Sequence, residues 1–161
     1  MILESRIGLV NIHNWSHNEL INEENIMTAA VQNLLNDLKD PFKEMDLIRN
    51  GLEPKIIESF LAKENILVKD ILERLHIPSS TYFAKKKQHQ PLDTYTTEKF
   101  IRLITVLRMA SNVLGKVEAK SWMYRNVPSL GNQSPINLLD TEVGHRLVEQ
   151  TLLQIKYGMY A

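Results

Sequence analysis

Five histidines are the side chains of this 161-residue chain that most invite a chemical interpretation. His13 and His17 are four residues apart, a spacing that places two imidazoles on one helix face and would suit a zinc ion. The glutamate that follows the first histidine in zinc proteases is missing, and His76, His89 and His145 show no ligand spacing. The chain also has no cysteine, no glycine-rich phosphate loop and no serine flanked by elbow glycines. We therefore predict no catalytic site, no metal site and no bound cofactor, and expect the protein not to be an enzyme.

A second group of side chains is suited to nucleic acid. Residues 67–83 have the layout of a helix-turn-helix, with two short apolar-periodic helices joined across His76 and Pro78. Short hydroxyl side chains at the start of the second helix suit base edges or phosphates, and lysines suit the DNA backbone. The predicted DNA-binding residues are Ser79, Ser80, Thr81, Tyr82, Lys85, Lys86 and Lys87. A helical hairpin with a solvated lysine face is the structural alternative, since the second helix offers no arginine for bidentate contact with guanine.

The charge distribution favours this middle segment although the total charge is zero. Residues 1–51 contain eight acids and four bases, a net charge of −4, whereas residues 52–92 contain five acids and seven bases and residues 93–161 six acids and eight bases, a net charge of +2 each. The middle segment concentrates its excess in Lys85-Lys86-Lys87. The absence of cysteine, of a signal peptide pattern and of an apolar membrane span predicts a cytoplasmic protein without a membrane role.

Apolar residues recur every three or four positions through most of the chain, which predicts an all-α fold with little or no sheet. We expect Asn22 to cap a helix that buries Ile26, Ala30, Leu34 and Leu38 and stops at Asp40-Pro41. Ser79 or Ser80 should cap the second helix of the helix-turn-helix. A long helix should start at Thr96 or Thr97 and close at Gly115, and Asp140 or Thr141 should cap a last helix. The apolar residues that we expect on one face of this last helix are Val143, Leu147, Val148, Leu152 and Ile155.

The order of motifs resembles the Xre/MbcA/ParS antitoxin family over residues 48–161. The resemblance includes Arg49-Asn50-Gly51-Leu52, the helix-turn-helix and the long helix, and it is most specific in the final third. There the residue types and spacing follow the family's toxin-binding domain over some forty positions. The matching residues are Trp122, Leu130, Gly131, Pro135, Leu138, Leu139, Gly144, Tyr157 and Gly158, and the terminal Tyr160 joins them as a predicted contact.

The resemblance implies a type II antitoxin whose partner is a RES-domain toxin that cleaves cellular NAD. It also implies that the carboxy-terminal domain covers the NAD pocket of the toxin, while the helix-turn-helix represses the operon by binding operator DNA. This chain departs from the family at the recognition helix, where lysines follow Ala84 instead of paired arginines, and at the turn. There His76 replaces the usual glycine, at a position that often has a left-handed backbone, and Pro78 replaces the usual serine.

The expected organisation is a helical extension at 1–47, an Xre-like helix-turn-helix domain at 48–93 and a toxin-binding domain at 94–161. Since operators of helix-turn-helix proteins are commonly two-fold, we expect a homodimer. The alternative function is a stand-alone transcriptional regulator whose carboxy-terminal helices dimerise or sense a ligand. A protein-binding module without any DNA role is a third interpretation.

Overall fold

The computed structural model describes residues 16–159, with the side chain of residue 17 left aside, and this part of the chain is all-α as predicted. The described residues form no β-strand, and an isolated antiparallel bridge joins Val127 to Gln133. The helices are α1 (His17–Asp37), α2 (Pro41–Asn50), α3 (Pro54–Lys63), α4 (Val68–Arg74), α5 (Ser79–Lys87), α6 (Thr94–Leu114), α7 (Lys116–Tyr124) and α8 (Glu142–Lys156). No helix of the described part is long and apolar enough to cross a membrane.

The cap of helix α1 lies six residues before the predicted one. Ser16 caps it in a reciprocal box, in which the Ser16 hydroxyl accepts from the Glu19 backbone and the Glu19 carboxylate accepts from the Ser16 N–H. The prediction that Asn22 caps the helix was therefore wrong. The buried stripe also differs, since Val31 and Leu34 are buried whereas Ile26 is exposed.

Helix α2 was missed by the sequence reasoning. Asp40 caps it by accepting from the Phe42 N–H at 2.9 Å, and Pro41 occupies its first position. The helix buries none of its residues, and Phe42 is largely exposed. In a sequence, an amphipathic helix is recognised by apolar residues that recur on the face that it buries. The apolar residues of α2 do not face a core.

The described part of the chain forms two compact units. The first contains residues 16–71 together with Pro78–Thr97, and the second contains Leu72–Ile77 together with residues 98–159. The divisions fall within α4, between α4 and α5, and within α6. The domain limits of 1–47, 48–93 and 94–161 stay predictions.

In the first unit, α1 packs on α3, and the two helices share an ion pair between Lys55 and Glu23. The Thr97 hydroxyl accepts from the Leu52 N–H at 3.1 Å, which attaches the segment before α3 to the start of α6. The start of α6 is two or three residues earlier than predicted because the Asp93 carboxylate accepts from the Thr96 N–H at 2.9 Å and from its hydroxyl at 2.8 Å. The predicted end of the helix before Gly115 is confirmed.

The second unit is built on the remainder of α6. Two buried cations on this helix bind loop carbonyls: Lys99 Nζ donates to the Leu75 carbonyl at 2.6 Å, and Arg102 Nε donates to the Leu139 carbonyl at 3.2 Å. Two 3-10 turns, Pro128–Leu130 and Pro135–Leu138, pack against α8. These turns and helices carry the segment that resembles the toxin-binding domain.

Candidate functional site

The turn before α5 keeps the left-handed backbone that glycine usually supplies, although the residue is a histidine. His76 has φ 52°, and the N–H of Ile77 donates to the Leu72 carbonyl at 2.8 Å, closing the end of α4. The departures at His76 and Pro78 therefore leave a closed turn between the two short helices.

The amino-terminal end of α5 presents short hydroxyl side chains to solvent. Ser79, Ser80 and Thr81 are exposed, and the helix cap is Pro78, which makes no side-chain hydrogen bond. The prediction that Ser79 or Ser80 caps α5 was wrong, because the extended backbone of Pro78 already fills the cap position. As a result, the hydroxyls of these predicted DNA-binding residues are not used in capping the helix.

Tyr82 differs from the other predicted DNA-binding residues because its side chain is fully buried. Its hydroxyl donates to the Pro54 carbonyl of α3 at 3.3 Å. Burial, followed by the negative charge of Glu58 and a hydrogen bond with it, raises the pKa of the Tyr82 hydroxyl well above its usual value. The structure thus removes the Tyr82 side chain from the exposed face of α5 and gives it a place in the core.

The three consecutive lysines of α5 lie in three different environments. Lys85 Nζ donates to the Gln90 side chain at 3.2 Å, Lys86 Nζ lies 2.8 Å from a carboxylate oxygen of Glu58, and Lys87 is exposed. We had predicted the same DNA-binding role for all three lysines. Their differences come from the helix, which turns 100° between neighbours and so points them in different directions.

A shallow groove runs along the outward face of α5. Hydroxyl, methyl, ammonium and amide groups line it, and the residues are Ser80, Thr81, Ala84, Lys85, Gln88 and Gln90. Lysine suits phosphate oxygens, and glutamine can pair with adenine in the major groove. Gln88 and Gln90 had not been predicted, because they follow the helical pattern as ordinary polar positions.

Most of the residues predicted to bind a toxin are core residues. Trp122, Leu130, Pro135, Leu139 and Gly144 are buried, and Leu138 is half-buried. They hold the two 3-10 turns against α7 and α8. In contrast, Gly131, Tyr157 and Gly158 are exposed, and Tyr160 lies outside the described residues.

Gly144 shows why this motif has a glycine inside a helix. A Cβ at this position would collide with the carbonyl oxygen of Leu138. The same turn of helix is capped by Thr141, whose hydroxyl accepts from the Gly144 N–H at 3.1 Å, as predicted for Asp140 or Thr141. Gly144 therefore permits the close approach of α8 to the preceding turn.

Exposed apolar side chains also occur along α8 and in the turn after it, and we name them the outer stripe: Val143, Leu147, Leu153, Tyr157 and Met159. Val143 is 59% exposed and Leu147 47% exposed, and the other three residues are also open to solvent. The predicted buried face of α8 is therefore only partly right: Val148 and Leu152 are buried and Ile155 half-buried, but Val143 and Leu147 point away from the core. The apolar residues of α8 cover more than one face, and periodicity alone did not separate them.

The chain after α8 folds back in an ordered turn. Gly158 has φ 65°, and the N–H of Met159 donates to the Gln154 carbonyl at 2.9 Å. This hydrogen-bond pattern closes the helix as a Schellman motif. Tyr157 lies beside Lys156, whose Nζ is 5.3 Å from the centre of the tyrosine ring. The end of the outer stripe is thus held by backbone hydrogen bonds.

Among the side chains that the structure describes, no group of three or more histidines and acids is placed to hold a metal ion. Of the paired histidines, His13 and the side chain of His17 lie outside the described residues.

Comparison with known proteins places the carboxy-terminal part of the chain in a described family. Residues 109–158 match the model of the antitoxin Xre/MbcA/ParS C-terminal toxin-binding domain. The matched range contains α7, both 3-10 turns, α8 and the outer stripe except Met159.

Three curated proteins are similar to the chain. The Prs ADP-ribosylating antitoxin of Sphingobium sp. (strain YBL2) is 26% identical over 131 residues, which cover 75% of this chain and 82% of that protein. Antitoxin Xre of Yersinia enterocolitica is 26% identical over 119 residues, covering 73% of this chain and 80% of that protein. Antitoxin Xre of Pseudomonas putida is 30% identical over 83 residues, covering 51% and 52%, respectively.

Proposed function

We propose that the chain, whose residues 109–158 match the toxin-binding domain of the Xre/MbcA/ParS antitoxin family, is an antitoxin that neutralises a RES-domain toxin that degrades NAD. In this proposal the carboxy-terminal domain covers the active site of the toxin, and the helix-turn-helix represses the operon that encodes both proteins. The antitoxin supplies no chemistry, since its effect is to exclude the nucleotide from the pocket.

The exposed outer stripe of α8 is the observation that carries the toxin-binding part of the proposal. Exposed apolar groups that lie together mark protein interaction sites more often than scattered ones do. The stripe lies on the helix that ends the matched toxin-binding domain, and its members are not needed for the core of the second unit. The buried motif residues, such as Trp122 and Leu139, then serve to hold α8 in place.

Tyr157 and Met159 extend the outer stripe beyond the helix. Both are 64% exposed, although the backbone around them is closed by the Schellman turn. A rigid aromatic anchor loses little conformational entropy when it enters a pocket, which favours tight binding. We propose that this end of the chain, including Tyr160, blocks the mouth of the nucleotide pocket.

The DNA-binding part of the proposal depends on the exposed face of α5. Its open hydroxyls and its lysines suit operator DNA, and the surrounding segment 52–92 carries a net charge of +2 despite the neutral total. A homodimer on a two-fold operator, located in the cytoplasm with the NAD pool, completes the proposal.

Two reactions of NAD are to be distinguished for the partner: simple cleavage and ADP-ribosyl transfer. The name of the Sphingobium relative joins an antitoxin to ADP-ribosylation. NAD is the donor in ADP-ribosylation, and both transfer and simple cleavage break the bond between nicotinamide and ribose. A pocket that binds NAD is therefore common to both, and a steric cap would inhibit either reaction.

Co-expression with the product of the adjacent gene tests the proposal. We expect the two proteins to co-purify, and we expect the free partner to release nicotinamide from NAD until the full-length antitoxin is added. Deleting residues 157–161 should restore NAD consumption and growth arrest, whereas a duplex from upstream of the gene should still bind the truncated chain. Full protection by the truncated chain would contradict the role of the tail. Operator binding without any association with the adjacent gene product would favour the stand-alone regulator instead.

A further inference from the structure

Helix α5 has an inward face and an outward face, and the three lysines are divided between them. Tyr82 and Lys86 are four residues apart, so they lie on the same side of the helix. Tyr82 is buried against α3, and Lys86 reaches Glu58 of the same helix α3. Lys87 and the groove residues Ser80 and Ala84 lie on the other side, in solvent.

The contact between Lys86 and Glu58 is short and protected from water. Lys86 Nζ lies 2.8 Å from Glu58 Oε2, with the Glu58 side chain 6% exposed and the Lys86 side chain 25% exposed. The negative charge of Glu58 also acts on the buried Tyr82, whose pKa it raises. Two side chains of α5 therefore meet a single carboxylate of α3.

A buried carboxylate needs its counter-ion. If the Lys86 ammonium moved to a DNA phosphate, the nearly buried Glu58 would lose its positive partner, which is costly in a region of low dielectric constant. Lys85 and Lys87 are not bound in this way: the hydrogen bond of Lys85 to Gln90 is exposed, and Lys87 is open to solvent. The cost of recruiting a lysine to DNA is thus much larger for Lys86 than for its neighbours.

We infer that Lys86 is a positioning residue, which orients the recognition helix by its ion pair with Glu58, and that Lys85 and Lys87 are the lysines that contact phosphate. This inference rests on the proposed DNA-binding function and assigns different roles to residues that the sequence grouped together. By holding α5 on α3, the pair determines the angle at which Ser80, Thr81 and Ala84 are presented to a groove.

The salt dependence of DNA binding separates the two roles. The full-length protein would be titrated with a duplex from upstream of its gene, and with a scrambled duplex, at several salt concentrations. Each lost phosphate contact lowers the slope of log affinity against log salt by about one unit. We expect K85Q and K87Q each to lower the slope. K86M should leave the slope unchanged, while weakening binding to the upstream duplex by about tenfold through loss of helix orientation.

Substitution of Glu58 changes DNA affinity in opposite directions under the two explanations, a role in charge alone and a role in positioning α5. If only charge near DNA mattered, E58Q would tighten binding, because it removes a negative charge. Since the ion pair positions α5, we expect E58Q to weaken binding about as much as K86M. K86R, which keeps the charge and the reach, should bind the upstream duplex as tightly as the unsubstituted protein and with the same slope.

The packing of α5 on α3 can also be measured without DNA. The ring resonances of Tyr82 in an NMR spectrum should shift in E58Q and K86M but not in K85Q, and co-purification with the toxin tests whether each variant is folded. If K86M does not fold, the comparison of E58Q with K86R decides. A slope lowered by one unit in K86M, or tighter binding by E58Q, would overturn the inference. Absence of DNA binding by the unsubstituted protein would overturn the proposed DNA function itself.

Discussion

The imidazole of His76 lies 3.2 Å from the carboxylate of Asp140, measured from Nδ1 to Oδ2. The residue at the helix-turn-helix turn is thereby joined to the residue that precedes the cap of α8. Arg74 and Asn137 form a parallel contact at 2.8 Å, from Nη1 to Oδ1. The turn between α4 and α5 therefore takes part in the packing of the second unit.

The backbone of His76 predicts an unusual order of stabilities. A left-handed conformation costs a residue with a Cβ about 1 kcal/mol or more, and glycine avoids that cost. The pair with Asp140 contributes less, because the His76 side chain is 74% exposed. We expect H76G to be more stable than H76A by about 1 kcal/mol, as measured by chemical unfolding. D140N serves as the control for the pair alone, and H76A equal to or more stable than H76G would contradict the role of the backbone.

Gly144 predicts that a substitution favourable in most helices will be unfavourable here. Alanine ordinarily stabilises a helix relative to glycine, but its Cβ would collide with the Leu138 carbonyl. We expect G144A to lower the free energy of unfolding by about 2 kcal/mol, since α8 must shift away from the preceding turn. Q150A, on the exposed face of the same helix, should change it by less than about 0.5 kcal/mol. A G144A protein of unchanged stability would show that the turn adapts freely.

The outer stripe predicts a loss of association without a loss of fold. Leu147 is 47% exposed, so a charge at this position leaves the core intact. We expect L147E to weaken binding to the co-purified toxin by about thirtyfold or more, the effect of a hot-spot residue, with an unchanged melting temperature. The matched control is S121E, which adds the same charge to an exposed polar position of α7, away from the outer stripe. Equal toxin affinity in L147E and the unsubstituted protein, by calorimetry, would remove the outer stripe from the interface.

The cap of α6 predicts a pH-dependent contribution to stability. Burial raises the pKa of the Asp93 carboxyl, but hydrogen bonds from the backbone and hydroxyl of Thr96 and from neighbouring N–H groups outweigh it and hold the pKa below its usual value. A lowered pKa stabilises the folded state above the pKa of the unfolded chain, and this contribution is lost as the pH falls through the folded pKa.

D93A measures this contribution directly. At pH 7 the substitution should cost about 1 kcal/mol, the ordinary value of an N-cap. The difference from the unsubstituted protein should shrink as the pH falls below about 4, the usual pKa of an unfolded aspartate. D93N is the control, because asparagine caps without a charge and so should lose less at pH 7. A D93A difference that stays constant from pH 7 to pH 3 would exclude the carboxylate as its source.

Local signals in the sequence were sufficient for several elements. The turn formers around Pro78, the hydroxyl at Thr141 and the glycine after α6 predicted where helices meet, start and end. These features act within one or two turns of chain, so their effect survives in the folded protein. Helix α1 shows the limit of such reasoning, because both Ser16 and Asn22 can cap a helix and the Glu19 of the capping box favours Ser16.

The amino-acid order alone was enough to establish an all-α chain, a helix-turn-helix and a carboxy-terminal segment of the antitoxin type, because periodicity and residue spacing are properties of the chain itself. It was not enough to divide Lys86 from Lys85 and Lys87, or Leu147 from Val148. In each case neighbouring residues of similar type point in different directions, and their roles depend on what lies opposite them. Glu58 is 28 positions away from Lys86 along the chain, and packing of α3 on α5 brings the two charges into contact.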